Sequence, residues 1–180
     1  QVVGAIRFIL MTGWRASEAL TLKREFVYAD RGEARLPDTK TGFSVRPLAP
    51  DVLALLDGLK HVVGSPYYFP GIVDPRQPLS YSTVYDRLTL IRKAAGVKAG
   101  SFHVMRHRIV TDIAGAAPNI RTGMSISGHK STTAFLGYVH ADRERAAAVA
   151  AQVTAGVAAL PRVLPEAKVV KLPKRRRRTG

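Results

Sequence analysis

Phe102-His103-Val104-Met105-Arg106-His107, then Ser127-Gly128-His129-Lys130-Ser131, and then Tyr138, nine residues past His129, decide how this chain is read. Histidine, arginine, histidine and tyrosine in that order describe a site that grips a phosphate and attacks it with a phenol. Either stretch alone is weak. An exposed His-x-x-Arg pair, a histidine at a helix end and a half-buried core tyrosine are all common. Their order and spacing, joined to Arg15 and Lys40 upstream, make a specific signal.

Each residue type suits a task. A guanidinium presents a planar fork that binds two phosphate oxygens, which fits Arg15 and Arg106 to a phosphate clamp. Histidine adds a hydrogen bond or moves a proton near neutral pH, a role open to His103 and His129. No acidic cluster accompanies these residues, so neither a two-metal site nor any other cofactor is expected. The nucleophile must then be something other than free water, and Tyr138 is the candidate. A phenol of ordinary pKa is ionised about once in a thousand at pH 7, so supplying phenolate costs roughly 4 kcal/mol without help. Nearby cations and a base lower that cost. Lys40, on a polar hairpin tip, is placed to protonate a leaving alkoxide. A covalent phosphotyrosine conserves the energy of the broken phosphodiester, so a second hydroxyl can reclaim it without ATP.

The 180 residues suit one domain with an appendage, and a hydrophobic fraction of 46% is ordinary for a buried core. The net charge of +15 is not ordinary and favours polyanions, nucleic acid first. Residues 161–180 hold eight basic side chains and one acid, so the rest of the chain is basic in its own right. The tail reads as a disordered basic arm, with nonspecific phosphate contact its simplest use. The absence of cysteine excludes disulfides and thiolate chemistry and makes an intracellular home the simplest reading; with the basic charge, a cytoplasmic, DNA-associated protein is expected. No apolar run is long enough to span a membrane. The chain opens inside an apolar helix with no residue to cap it, which reads as a fragment.

Periodicity predicts a buried helix over 2–12 closed by Gly13, and a short helix over 16–23. Strands are expected at 25–29, 34–36 and 44–48, a small antiparallel meander with Lys40 at its tip. Pro50 opens a helix to about 59, and residues 64–79 form a loop. Ser80 or Ser82 caps a helix to about 95. Further helices are expected over 103–114, from Asn119 to near Gly128, over 132–138 and over 142–160. The class is α+β, mainly α: a helical catalytic domain over 1–160 with a small three-stranded antiparallel sheet.

Taken together, these motifs resemble the tyrosine recombinases of the phage integrase family. Thr12-Gly13-Trp14-Arg15-Ala16-Ser17-Glu18 is similar to the family's first arginine motif. Thr39-Lys40-Thr41-Gly42 through Arg46-Pro47-Leu48 is similar to its lysine hairpin. Phe102 to His107 resembles the His-x-x-Arg motif, and Ser127 to Thr133 with Tyr138-Val139-His140 resembles the second histidine and the nucleophile. The resemblance implies that Arg15 and Arg106 clamp the scissile phosphate and Lys40 protonates the leaving 5′ oxygen. It also implies that His103 is an acid or base, His129 bonds a phosphate oxygen, and Tyr138 forms a 3′-phosphotyrosyl link. Glu18 matches an acidic position that supports the site. The implied origin is bacterial or phage. The implied partner is double-stranded DNA, held by a homo-tetramer in the synaptic complex and by a monomer or weak oligomer without DNA. The helix over 142–160 resembles a segment that packs against a neighbouring subunit; core packing is the plainer reading.

Three positions depart from the family pattern. Met105 and Ser127 stand where leucine is usual, and Trp14 where a smaller residue is common; these are expected to alter packing rather than mechanism. The family's separate DNA-clamping domain and the first helix of its catalytic domain have no counterpart here. Two rival functions follow: a DNA-binding remnant without chemistry, and a topoisomerase sharing the tyrosine site. Lys23 and Lys130 are fallbacks for Lys40, and His107 reads as structural.

Overall fold

The computed structural model describes residues 1–37, 42–98, 100–139 and 143–158. Helix α1 (Val2–Thr12) is the centre of the first unit, residues 1–140. Its buried residues include Ala5, Ile6, Phe8, Ile9 and Thr12, more than one stripe, because neighbours cover it on several sides. Those neighbours are α2 (Ala16–Leu20), α3 (Pro50–Asp57), α4 (Tyr81–Ala94) and α5 (Phe102–Ala116). Gly13 stops α1 with φ of 64°, and its N–H bonds the Ile9 carbonyl at 2.9 Å. The turn carries Trp14 into the core, edge-on to Phe8 with ring centroids 5.2 Å apart.

The sheet has three antiparallel strands in the order β1 (Val27–Tyr28), β2 (Glu33–Leu36), β3 (Ser44–Pro47). The first is shorter than periodicity predicts, because Arg24–Phe26 forms a 3₁₀ turn. Arg24 N–H bonds the Pro66 carbonyl at 2.8 Å, which draws this backbone toward the 66–68 loop instead of into the sheet. β3 inverts the usual rule of alternation. Val45 is exposed, while Arg46, opposite Ala34, is wholly buried. The arginine faces inward because a carboxylate waits there.

Ser80, not Ser82, caps α4, accepting from Thr83 N–H at 3.2 Å. Ser101 caps α5, and Asn119 caps α6 (Ile120–Ser127), which ends on Gly128 with φ of 72°. α6 packs on α5, β3 and α7 (Thr132–Leu136). α7 stops short of Tyr138. The Tyr138 and Val139 N–H groups bond the Phe135 and Leu136 carbonyls at 2.9 and 3.0 Å, the tighter three-residue pattern that turns the tyrosine off the helical register. Helix α8 (Arg143–Ala158) belongs to a second unit, residues 141–180. Of its expected apolar stripe, Val149 is exposed, and the side chains of Val153, Val157 and Leu160 lie outside the described residues. The basic tail lies outside them as well.

Phe135 ties the tyrosine segment to the rest. It is buried to 1% exposure, and a Cβ at Gly123 would come within 2.4 Å of its ring. Phe135→Ala is expected to lower the unfolding free energy by about 3–5 kcal/mol, read from urea denaturation. Gly123→Ala should also destabilise, because the ring has nowhere to move.

Candidate active site

Arg15 sits at the N-cap of α2 in extended conformation, just before the helix. Glu18, one turn on, accepts the Arg15 backbone N–H at 3.2 Å and the Arg15 Nη1 at 3.0 Å. Its Oε2 also accepts Arg46 Nη1 from β3 at 2.9 Å. The carboxylate thus ties a loop, a helix and a strand together. The Arg46 guanidinium lies 4.8 Å from the Trp14 ring and against the Gly128 backbone, where a Cβ would approach its Cζ to 2.3 Å. Burial opposes the charge on Glu18, yet the hydrogen bonds and charges of Arg46 and Arg15 outweigh it and hold the carboxyl below its ordinary pKa.

Arg106, on the buried face of α5, donates to the carbonyls of Gly13 and Ser127, the latter at 3.1 Å. Two chain turns far apart in sequence, the end of α1 and the end of α6, are joined through it. Burial, then the positive charges of Arg15 and Arg46, lowers its pKa to about 10, so it is still a cation at neutral pH. Its Nη2 stands 3.4 Å from His129 Nε2. His129 Nδ1 lies 2.8 Å from Ser127 Oγ. Burial, followed by the charges of Arg106, Arg15 and Arg46, lowers the His129 pKa to about 4, so the ring is neutral at pH 7. Tyr138 lies between two histidines, its ring centroid 5.3 Å from His129 and 4.9 Å from His107.

Arg15, His103 and Arg106 line one cleft of about 230 Å³, walled by Trp14, Tyr81 and Phe102. His103 is exposed at its rim on the first turn of α5. The structure therefore brings Arg15 and Arg106 together, sets His129 beside Arg106, and sets Tyr138 beside His129. Lys40 lies outside the described residues. The two fallback lysines are engaged elsewhere: Lys23 pairs with Glu25 at 3.5 Å, and Lys130 donates to the Phe43 carbonyl. Among the described residues no group of His, Asp or Glu is arranged to hold a metal ion.

Three participants escape a reading of the sequence. Arg46 looks like one more basic residue in a strand, and only the fold shows it buried against Glu18. Ser127 does more than alter packing, because its hydroxyl touches the His129 ring. The signal that was available is the polar residue at the one place in Ser127-Gly128-His129 where an apolar one is usual. His107 is in ring contact with Tyr138, a placement that its position beside Arg106 does not foretell.

The phage integrase family model matches residues 3–145, and the chain belongs to that family. Among solved structures, it is similar in fold to the XerA recombinase, at 22% identity over 82% of this chain and 55% of that one, with a TM-score of 0.64. It is similar to the XerH site-specific recombinase in a post-cleavage complex, at 21% identity over 83% of this chain and 45% of that one, with a TM-score of 0.66. A lambda integrase dimer bound to a COC′ core site matches at 24% identity over 78% of this chain and 52% of that one, with a TM-score of 0.60. The chain thus spans about half the length of these relatives. Among curated protein sequences nothing matches.

Arg46→Met leaves the buried Glu18 carboxylate without its strand partner and should cost about 3–5 kcal/mol in urea unfolding. The double variant with Glu18→Leu should recover only part of that loss, since the unpaired carboxylate is gone but Arg15 and Arg106 have lost their shared anion. His129 gives a pH test. Its folded pKa of about 4 lies below the ordinary 6.5, so the unfolded chain binds more protons between those values. Stability should therefore fall as pH drops from 6.5 toward 4, and His129→Gln should flatten the urea midpoint across that window. Glu18, also lowered, acts in a separate window: its contribution is present above pH 4.5 and is lost as the pH falls through its folded value.

Proposed function

We propose that this chain is the catalytic domain of a site-specific DNA recombinase that cuts and rejoins DNA through Tyr138. The observation that carries the reading is the pairing of Arg15 and Arg106 in one cleft, with His129 against Arg106 and Tyr138 against His129. Two guanidinium groups suit a phosphodiester and the extra charge of its transition state better than they suit a neutral substrate. The XerH and lambda integrase structures hold a difH substrate and a core site, and by that likeness the substrate here is double-stranded DNA. The basic surface of the chain supports the same substrate.

The step balances without cofactor or ATP. The Tyr138 oxygen attacks phosphorus and gives its proton to a base, the role proposed for His103. The bond from phosphorus to the 5′ oxygen breaks, and that oxygen takes a proton from Lys40. Arg15 and Arg106 hold the non-bridging oxygens, His129 adds a hydrogen bond to one of them, and His103 relays a proton at the rim. A 5′ hydroxyl from a second duplex then attacks the phosphotyrosine and releases Tyr138. Exchange between two duplexes uses four copies of the protein.

A nicked suicide duplex that carries the recognition site tests the reading. Denaturing electrophoresis should reveal a covalent protein–DNA adduct for the wild type and none for Tyr138→Phe. Arg106→Ala should slow adduct formation by about a hundredfold or more. Salt-sensitive DNA binding with no adduct on any substrate would instead establish a binding module. Site-independent relaxation of supercoiled plasmid would establish a topoisomerase.

A further inference from the structure

Ser127 occupies a position at which leucine is usual in the motif, and it makes bonds that leucine has no atoms for. It is wholly buried in the last turn of α6. Its Oγ lies 2.8 Å from the Gly123 carbonyl oxygen and 2.8 Å from His129 Nδ1. Its own carbonyl accepts Arg106 Nη2 at 3.1 Å. One residue therefore touches two members of the site.

The proton positions follow from the far side of the ring. His129 Nε2 faces Arg106 Nη2 at 3.4 Å, and a guanidinium nitrogen only donates. Nε2 therefore carries the lone pair and Nδ1 the ring proton. Nδ1–H donates to Ser127 Oγ, and the hydroxyl proton goes to the Gly123 carbonyl. The contact with Arg106 is long and a weak anchor by itself; the shorter bond to Ser127 is what secures this form.

We propose that Ser127 is a positioning residue for DNA cleavage: its hydroxyl holds His129 with the proton on Nδ1, so that Nε2 is the nitrogen that gains and loses a proton beside Arg106. This assignment rests on the recombinase reading of the site. Burial, then the charges of Arg106 from α5, Arg15 from the start of α2, Arg46 from β3 and Glu18 from α2, sets the proton affinity of the ring, and Tyr138 lies against it. Ser127 acts differently, by choosing which nitrogen titrates. When a phosphate enters, its negative charge offsets the arginines and Nε2 takes a proton from solvent. The imidazolium then donates through Nδ1 to Ser127 and through Nε2 to a phosphate oxygen, with no turn of the ring.

Nitrogen-15 labelling of the histidines in the full chain reads the tautomer, with His129 signals assigned by their loss in His129→Gln. The wild type at pH 7 should show Nδ1–H. Ser127→Ala should show mixed tautomers, and Ser127→Thr, which keeps a hydroxyl, should return Nδ1–H. In single turnover on the nicked duplex, Ser127→Ala should form adduct about tenfold more slowly, with DNA affinity unchanged and partial rescue by Ser127→Thr. An unchanged Nδ1–H pattern in Ser127→Ala, or cleavage by it at the wild-type rate, overturns the assignment. Failure of the wild type to form any adduct removes the recombinase reading instead, and the labelled spectra still decide whether Ser127 holds the ring.

Discussion

Glu18 is the interaction on which the site depends. Its carboxylate is buried between Arg15 and Arg46 and lies in the field of Arg106. Three cations held by one anion leave the region with excess positive charge. Such an arrangement is costly in a low dielectric unless hydrogen bonds secure each member. Most are so held: Arg106 bonds two carbonyls, Arg15 bonds Glu18 one helix turn on, and Arg46 bonds Glu18 and Ser44 and lies on the face of Trp14, with its buried Nη2 unpartnered. The residual charge is then available to an incoming anion, and it is already fixed in place, with little reorganisation needed when the anion arrives.

That fixed charge also governs the histidine. A neutral His129 beside three arginines is the expected result of burial plus like charge, and a phosphate in the cleft reverses the second of these. In the proposed function, the hydrogen-bonding state of the ring is thus coupled to substrate through electrostatics. Gly128 makes the coupling close. Its left-handed backbone and missing Cβ let the Arg46 guanidinium lie directly under the turn that carries His129.

The helices were largely legible because their signals are local. Gly13 stops α1 as expected and α6 ends at Gly128, near which its end was expected, and Ser80 and Asn119 cap α4 and α6 through bonds to residues three along. The strand before β2 was less legible. Its residues have the composition of a strand, but a long-range bond from Arg24 to Pro66 takes the first of them out of the sheet. The end of α7 was misread for a similar reason, since the turn that carries Tyr138 off the helix is a choice between two hydrogen-bond patterns that composition does not separate.

Residue type and spacing alone pointed to the class of the chain, to the arginines proposed to grip a phosphate and to the candidate nucleophile, because each is written into a short motif with its own chemistry. Tertiary structure alone decided that Arg46 turns inward while Val45 turns out, that Arg15 and Arg106 share a cleft, and that Ser127 meets the His129 ring. The first two rest on contacts between elements far apart in the chain, and the third on the turn at Gly128, which folds two near neighbours together. Whether a charged or polar side chain is buried depends on the partner it finds there, and that partner is known only after the chain has folded.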